Sequence, residues 1–158
     1  MGLSSDISIR VASVDDAAAI HRLLGELEQA LGASGSVKRS AEDVLRHGFG
    51  ATPLFRALIA SKSGHDVGLA LYFPEFSTWK GKPGVYVQDL YVARELRGSG
   101  LGRQLMQAVY EAAQEWEAAY CKLSVYGDND SALKFYRRLG FRRSRDEKLL
   151  IRDGLLKA

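Results

Sequence analysis

The segment Val87–Arg103, VQDLYVARELRGSGLGR, is an extended apolar run that ends in a glycine-rich turn and passes directly into a helical pattern. Upstream, Tyr86, Gln88, Leu90 and Val92 alternate with Val85, Val87, Asp89 and Tyr91. With so many β-branched and aromatic residues, this predicts a largely buried strand. Strict alternation puts Asp89 on the face opposite Gln88, where a structural role is expected of it. Downstream, Leu101, Leu105, Val109, Ala112, Ala113 and Trp116 recur at three- and four-residue spacing, which predicts a helix with one apolar face. Arg103, Gln104, Gln107, Glu111 and Glu115 are then left to solvent. Gly98, Gly100 and Gly102 fill the junction. Lacking Cβ atoms, they let a ligand approach the main chain and let successive N–H groups converge, and the positive end of the helix favours an anion there.

Spacing decides which kind of anion site this is. A nucleotide P-loop needs G-x-x-x-x-G-K-[ST], and no Lys follows these glycines. The dinucleotide fingerprint needs G-x-G-x-x-G, whereas Gly98-Ser99-Gly100-Leu101-Gly102 has glycine at every second position. The run Arg97-Gly98-Ser99-Gly100-Leu101-Gly102 matches [RQ]-x-x-G-x-[GA] and resembles the cofactor signature of the GNAT superfamily of N-acetyltransferases. Downstream, Asn129-Asp130-Ser131-Ala132-Leu133-Lys134-Phe135-Tyr136-Arg137-Arg138-Leu139-Gly140-Phe141 resembles that superfamily's second motif, N-x-x-A-x-x-F-Y-x-x-x-G-F. Local chemistry agrees: Asn129 or Asp130 caps a short helix, and Gly140 supplies a left-handed stop.

With 158 residues, 46% of them hydrophobic and 26% charged, the chain has the composition of one soluble domain spanning 1–158. Apolar runs such as Val67–Phe73 fall short of the ~20 residues of a membrane helix, and Met1–Asp6 is short and polar, so a cytoplasmic location is expected. The lone Cys121 excludes an intramolecular disulfide and reads as a small buried hydrophobe. His21, His47 and His65 are scattered and H-E-x-x-H is absent, so no metal is expected; there is no G-x-S-x-G elbow either. From Lys134 to Lys157 nine Lys or Arg face three acidic residues, within a net charge of +3. Without a zinc-finger, RNP or helix-turn-helix pattern, this reads as solvated surface and long-range attraction for an anionic ligand, not as a nucleic-acid site.

The remaining pattern gives the order. Ile7–Val11 alternates as a strand, and Ser13-Val14-Asp15-Asp16 reads as a capping box before a helix with Ala17, Ile20, Leu23, Leu24 and Leu27 inside. Gly32–Ser36 breaks that helix, and Ser40-Ala41-Glu42-Asp43 starts a second one that ends near Gly48. Phe55–Ser61 and Val67–Phe76 form a hairpin. Past the central strand and helix come a strand at Lys122–Val125, a helix at Asn129–Leu139, and strands around Phe141–Arg143 and Lys148–Arg152. The resulting β-α-α-β-β-β-α-β-α-β-β order predicts an α/β fold with a mixed, mostly antiparallel sheet and helices on both faces. It is also the GNAT order. Leu71–Phe73, Phe76–Lys82 and Asp43–Gly50 are similar to the diamine (spermidine/spermine) and thialysine acetyltransferase branch.

The resemblance implies an acetyl-CoA-dependent N-acetyltransferase, acting on a primary amine of a small molecule by direct attack on the thioester. A diamine, a polyamine or an amino acid such as thialysine would be the acceptor. It implies that Leu90, Tyr91 and Val92 present main-chain groups to the pantetheine arm and thioester, that Arg97 to Arg103 (with Ser99 and Leu101 among them) hold the pyrophosphate, that Asn129 contacts the CoA arm and that Tyr136 protonates the leaving sulfur. A homodimer is the family expectation. Two departures stand out. Where the diamine branch has a glutamate facing the acceptor this chain has Gln88, which orients an amine but takes no proton; and Leu31 falls near the acidic position that helps bind polyamines. Both point away from long polycations. A CoA-binding protein without turnover and a protein or peptide N-acetyltransferase stay open as alternatives.

Overall fold

The computed structural model describes residues 6–33 and 38–155. The chain divides into two compact units, Met1–Ser124 and Val125–Ala158. In the first unit, β1 (Ile7–Val11), α1 (Ala17–Ala30), α2 (Ala41–Phe49), β2 (Arg56–Lys62), β3 (His65–Ser77), β4 (Lys82–Val92), α3 (Leu101–Ala112) and β5 (Cys121–Leu123) follow one another. The strands form one sheet in the order β1-β2-β3-β4-β5, antiparallel except for the parallel β4–β5 pair. The predicted mixed, mostly antiparallel α/β fold is what forms.

Alternation along β2 and β3 sorts their side chains between two apolar layers. Ala57, Ile59, Leu69 and Leu71 face α1 and α2, where Ile20, Leu23, Leu24 and Val44 complete a buried cluster with Tyr91. The opposite face meets α3: a Cβ built on Gly68 would touch Leu105 at 3.1 Å, and the Tyr72 ring lies 6.0 Å from that of Trp116. Leu101, Leu105, Met106 and Val109 are fully buried, so the helix face read from the periodicity is the packed one.

Local chemistry sets the element ends. The Asp16 carboxylate takes the Ser13 N–H at 2.7 Å and both terminal nitrogens of Arg10 at 2.7 and 2.8 Å. The predicted box thus forms, but it opens one 3₁₀ turn, Val14–Asp16, ahead of α1. Ser40 and Asp43 close a second box on α2, Ser40 Oγ accepting the Asp43 N–H at 3.1 Å. The β2–β3 hairpin turns at Ser63 and Gly64, both at positive φ (49° and 80°), the geometry that matches strand twist in a two-residue loop. Of the predicted break at Gly32–Ser36, Gly32 stands at φ 72° beyond the end of α1, while residues 34–36 lie outside the described residues, as do Met1–Ser5 and Lys157.

The second unit holds α4 (Asp130–Arg138). Asn129 caps it by accepting the Ala132 N–H at 3.1 Å, and Gly140 at φ 91° ends it, as the motif predicts. The strands expected at Phe141–Arg143 and Lys148–Arg152 are not formed: residues 141–154 carry no regular structure, and Leu149, Leu150 and Ile151 are 76–90% exposed. A strand needs a paired neighbour as well as an apolar pattern, and no strand among the described residues pairs with these segments. No helix among the described residues is long and apolar enough to cross a membrane.

Candidate active site

The strand, glycine turn and helix start read from the sequence lie together in the first unit. β3 pairs with β4 through to Val92, but β5 pairs only with Val85–Val87. From Gln88 to Val92 the other edge of β4 therefore has no strand partner among the described residues; alternation turns the main-chain groups of Leu90 and Val92 to that open edge, while those of Tyr91 pair with Leu69 of β3. The chain then passes through exposed Arg97–Gly100 into α3. Gly98 and Gly100 stand at φ 81° and 93°, and a Cβ on either would project into open space. A ligand can thus reach the main chain there. Gly100 is the N-cap of α3, so the first-turn N–H groups, Gly102 and Arg103 among them, lack intrahelical acceptors. Ser99 Oγ donates to the Leu96 carbonyl at 2.6 Å and Arg97 Nε to the Val92 carbonyl at 3.1 Å, so these two side chains brace the loop. Such a cradle fits a pyrophosphate-bearing carrier such as CoA.

The second feature lies in β4 itself. Leu71 opposes Asp89 and the next residue, Tyr72, opposes Val87, so Gln88 is an extra residue bulged from the ladder. A bulge reverses the parity of everything beyond it. Asp89 is therefore not on the face opposite Gln88, as alternation predicts: both residues line one cleft of about 270 Å³ on the α1–α2 side. Leu71 completes the floor. Leu24, Val44 and Phe55 form its apolar wall, and Arg39, Asp43 and His47 its polar one.

Charges in the cleft are coupled. Burial pushes the Asp89 carboxyl up to about 6; nearby Arg39 pulls it down and Glu28 pushes it further up. Arg39 donates from Nη1 to Glu28 Oε1 at 2.5 Å and from Nε to His21 Nδ1 at 3.4 Å. Asp43 is held below the usual carboxylate range by the Ser40 N–H and hydroxyl, both of which donate to its Oδ2 at 2.8 Å. Next to the floor, Phe73 and Tyr86 stack with ring centroids 5.1 Å apart, and the Tyr91 hydroxyl donates to Glu26 Oε2 at 2.9 Å. Sequence reasoning missed the placing of Asp89, Arg39, Asp43 and His47. Asp43 and His47 did carry a signal, one helical turn apart after a capping box, but the bulge has none.

Asn129 and Tyr136 belong to the second unit. Tyr136 packs edge-on against Phe135 and Phe141, with centroids 5.1 and 5.5 Å away. Cys121 is half-buried, and burial, reinforced by Glu75, pushes its thiol up to about 12. So raised, the thiol has little thiolate character at neutral pH, as befits a small half-buried apolar side chain.

An open-edged strand leading through a glycine turn into a helix start, beside a cleft holding a half-buried carboxyl, is a site where an anionic carrier and a small acceptor can meet, and the chain's relatives say which class of protein uses it: the acyltransferases. Residues 20–141 match the acetyltransferase (GNAT) family, and the chain belongs to it. It is 36% identical to the thialysine N-epsilon-acetyltransferase of Bos taurus over 85% of this chain and 83% of that one. To the spermidine/spermine N(1)-acetyltransferase-like protein 1 of Homo sapiens it is 30% identical over 84% of this chain, though over only 20% of that longer protein. Among solved structures, an integron cassette protein from V. cholerae superposes with a TM-score of 0.80 over 96% of this chain and 95% of that one, at 21% identity. That last likeness shows the fold.

Proposed function

We propose that this protein transfers the acetyl group of acetyl-CoA to a primary amine of a small molecule, by direct attack of the amine on the thioester. The observation that carries the reading is the bulge at Gln88. It puts two polar side chains, one of them ionisable, on the floor of a cleft immediately before the open edge of Leu90–Val92. Amines and thioester would thus be brought to adjacent positions on one strand.

An alkylammonium loses its proton near pH ~10.4 in water, so the acceptor must be deprotonated before it attacks. Asp89 is the group suited to take that proton, with Gln88 orienting the nitrogen through its amide. Main-chain N–H groups on the open edge of β4 would stabilise negative charge developing on the thioester oxygen. The first-turn N–H groups after Gly100 would hold the pyrophosphate. Acetyl-CoA supplies the activated acyl group. From the family resemblance, Asn129 contacts the CoA arm and Tyr136 gives its phenolic proton to the departing sulfur. A homodimer working in the cytoplasm belongs to the same reading.

The relatives named for thialysine and for polyamines support a small amine as acceptor. So does the cleft, which at about 270 Å³ is at the small end of the ~300–1,000 Å³ of ordinary ligand pockets. The test is thiol release from acetyl-CoA with a panel of diamines, amino acids and peptides. Release with small amines alone is expected. Binding of CoA with no release for any amine would favour a protein without turnover, and release with peptides alone a protein acetyltransferase.

A further inference from the structure

On the cleft floor Asp89 has Gln88 and Leu71 beside it, and neither carries a charge. The charges that bear on its carboxyl stand on the elements packed above: Arg39 just ahead of α2, and Glu28 on α1. Asp43 and His47 of α2 line the same cleft, but the Asp43 carboxylate is taken up by the N–H and hydroxyl of Ser40. Further along β4, Tyr91 and Glu26 are engaged with each other. Arg39 and Glu28 are likewise bound together, Nη1 to Oε1 at 2.5 Å, with side chains only 23% and 21% exposed. Arg39 Nε also donates to His21 Nδ1 at 3.4 Å, so α1 holds the guanidinium from two points.

As a unit the pair is electrically neutral, but its halves act on the Asp89 carboxyl with opposite sign, Arg39 favouring the charged form and Glu28 the neutral one. Without the arginine, Glu28 would be a bare, partly buried carboxylate near a second one. Like charges that share a site push a carboxyl towards its neutral form, and an unpaired charge in such a place is costly. Neutral Asp89 takes no proton from an ammonium. We infer that Arg39 is a positioning residue for the reaction: by neutralising Glu28 it lets Asp89 stay ionised and ready to accept the proton of the incoming amine. Arg39 touches no reacting atom and acts only through these two carboxylates. The inference rests on the reading of Asp89 as the base, and it gives the α1 wall of the cleft a task in the chemistry.

The experiment takes two readouts across the acid and neutral range. The Asp89 carboxyl carbon is titrated by NMR in the ligand-free protein, its resonance assigned by its loss in Asp89→Asn. In parallel, kcat/KM is read as thiol release from acetyl-CoA with 1,4-diaminobutane and with lysine. Arg39→Gln should raise the midpoint of both readouts by about half a pH unit or more, Glu28→Gln should lower it, and the double variant, which removes a neutral unit, should return it close to the wild-type value. Arg39→Lys, which keeps the charge, should leave it in place. The activity lost in Arg39→Gln is then largest below neutrality and shrinks as pH rises, whereas a merely structural tie between α1 and α2 would lower kcat/KM equally at every pH. Midpoints that stay put in both single variants overturn the proposal, as does a double variant whose midpoint remains as high as that of Arg39→Gln. Should Arg39→Gln not fold, Glu28→Gln carries the test, and an unmoved midpoint there overturns it. An acid limb that survives in Asp89→Asn fails the reading of Asp89 as the base and takes the proposal with it. No thiol release with any amine, while the NMR midpoints move as expected, fails the acetyltransferase reading and the positioning role but leaves the charge coupling standing.

Discussion

Asp89 carries the sharpest consequence for pH. Its carboxyl, pushed up to about 6 mainly by burial, is mostly ionised at pH 7 and so able to take a proton from an incoming ammonium. Below that value it is neutral and cannot. For a base, activity is lost as pH falls: kcat/KM should fall about tenfold per unit below pH ~6. Arg39, Glu28, Asp43 and His47 face or adjoin the same cleft and share its field. Asp89→Asn should remove this limb and lower turnover by roughly 10²-fold or more, while His47→Gln, measured beside it, separates the imidazole's contribution. Stability runs the other way. Because the folded value is raised above the ordinary one, the favourable contribution is full at low pH and is lost as pH rises through about 6. Asp89→Asn should therefore raise Tm more at pH 8 than at pH 4, and an equal change at both would contradict the burial argument. Tyr136→Phe should lower turnover with acetyl-CoA affinity nearly unchanged, measured by steady-state rates and by calorimetry; unaltered turnover would remove Tyr136 as the acid.

Among the elements, the loop between β4 and α3 is the most dependent on its residue type. Gly100 stands at φ 93°, and a side chain there costs about 1 kcal/mol or more in backbone strain and narrows the approach to the helix N-terminus. Gly100→Ala should raise the KM for acetyl-CoA at least tenfold with a much smaller change in kcat; an unaltered KM would show that the cradle is not used. This loop, α3 and the caps of α2 and α4 were legible in the sequence because each is decided within a few residues: a glycine that must turn left, a Ser or Asn that must cap, an apolar stripe that must face inward. Residues 141–152 were not. Their Leu149-Leu150-Ile151 run has the local pattern of a strand, but pairing is settled by a partner that the pattern does not name. The bulge at Gln88 was hidden for a related reason, since it exists only as a difference between two strands, and so the face that carries Asp89 was misread while the form of the glycine turn was not.

Taken as a whole molecule, the first unit is a sheet with a separate apolar layer on each face. Leu105 is fully buried between α3 and β3, and Leu105→Ala should cost roughly 2–5 kcal/mol by loss of packing and the cavity left behind. Chemical denaturation would read this as a lower midpoint at unchanged slope, and a loss under 1 kcal/mol would mean that the layer closes over the gap. The two layers also say something about Gln88. In frame terms, Lys82–Val87 and Asp89–Val92 are read in opposite phases, and Gln88 is the single inserted character between them. Deleting it would bring Val87 and Asp89 into ordinary succession opposite Tyr72 and Leu71, leaving both layers correctly supplied. The sheet has no requirement of its own for that residue, and a chain without it should keep the same core while losing half of the cleft's polar floor.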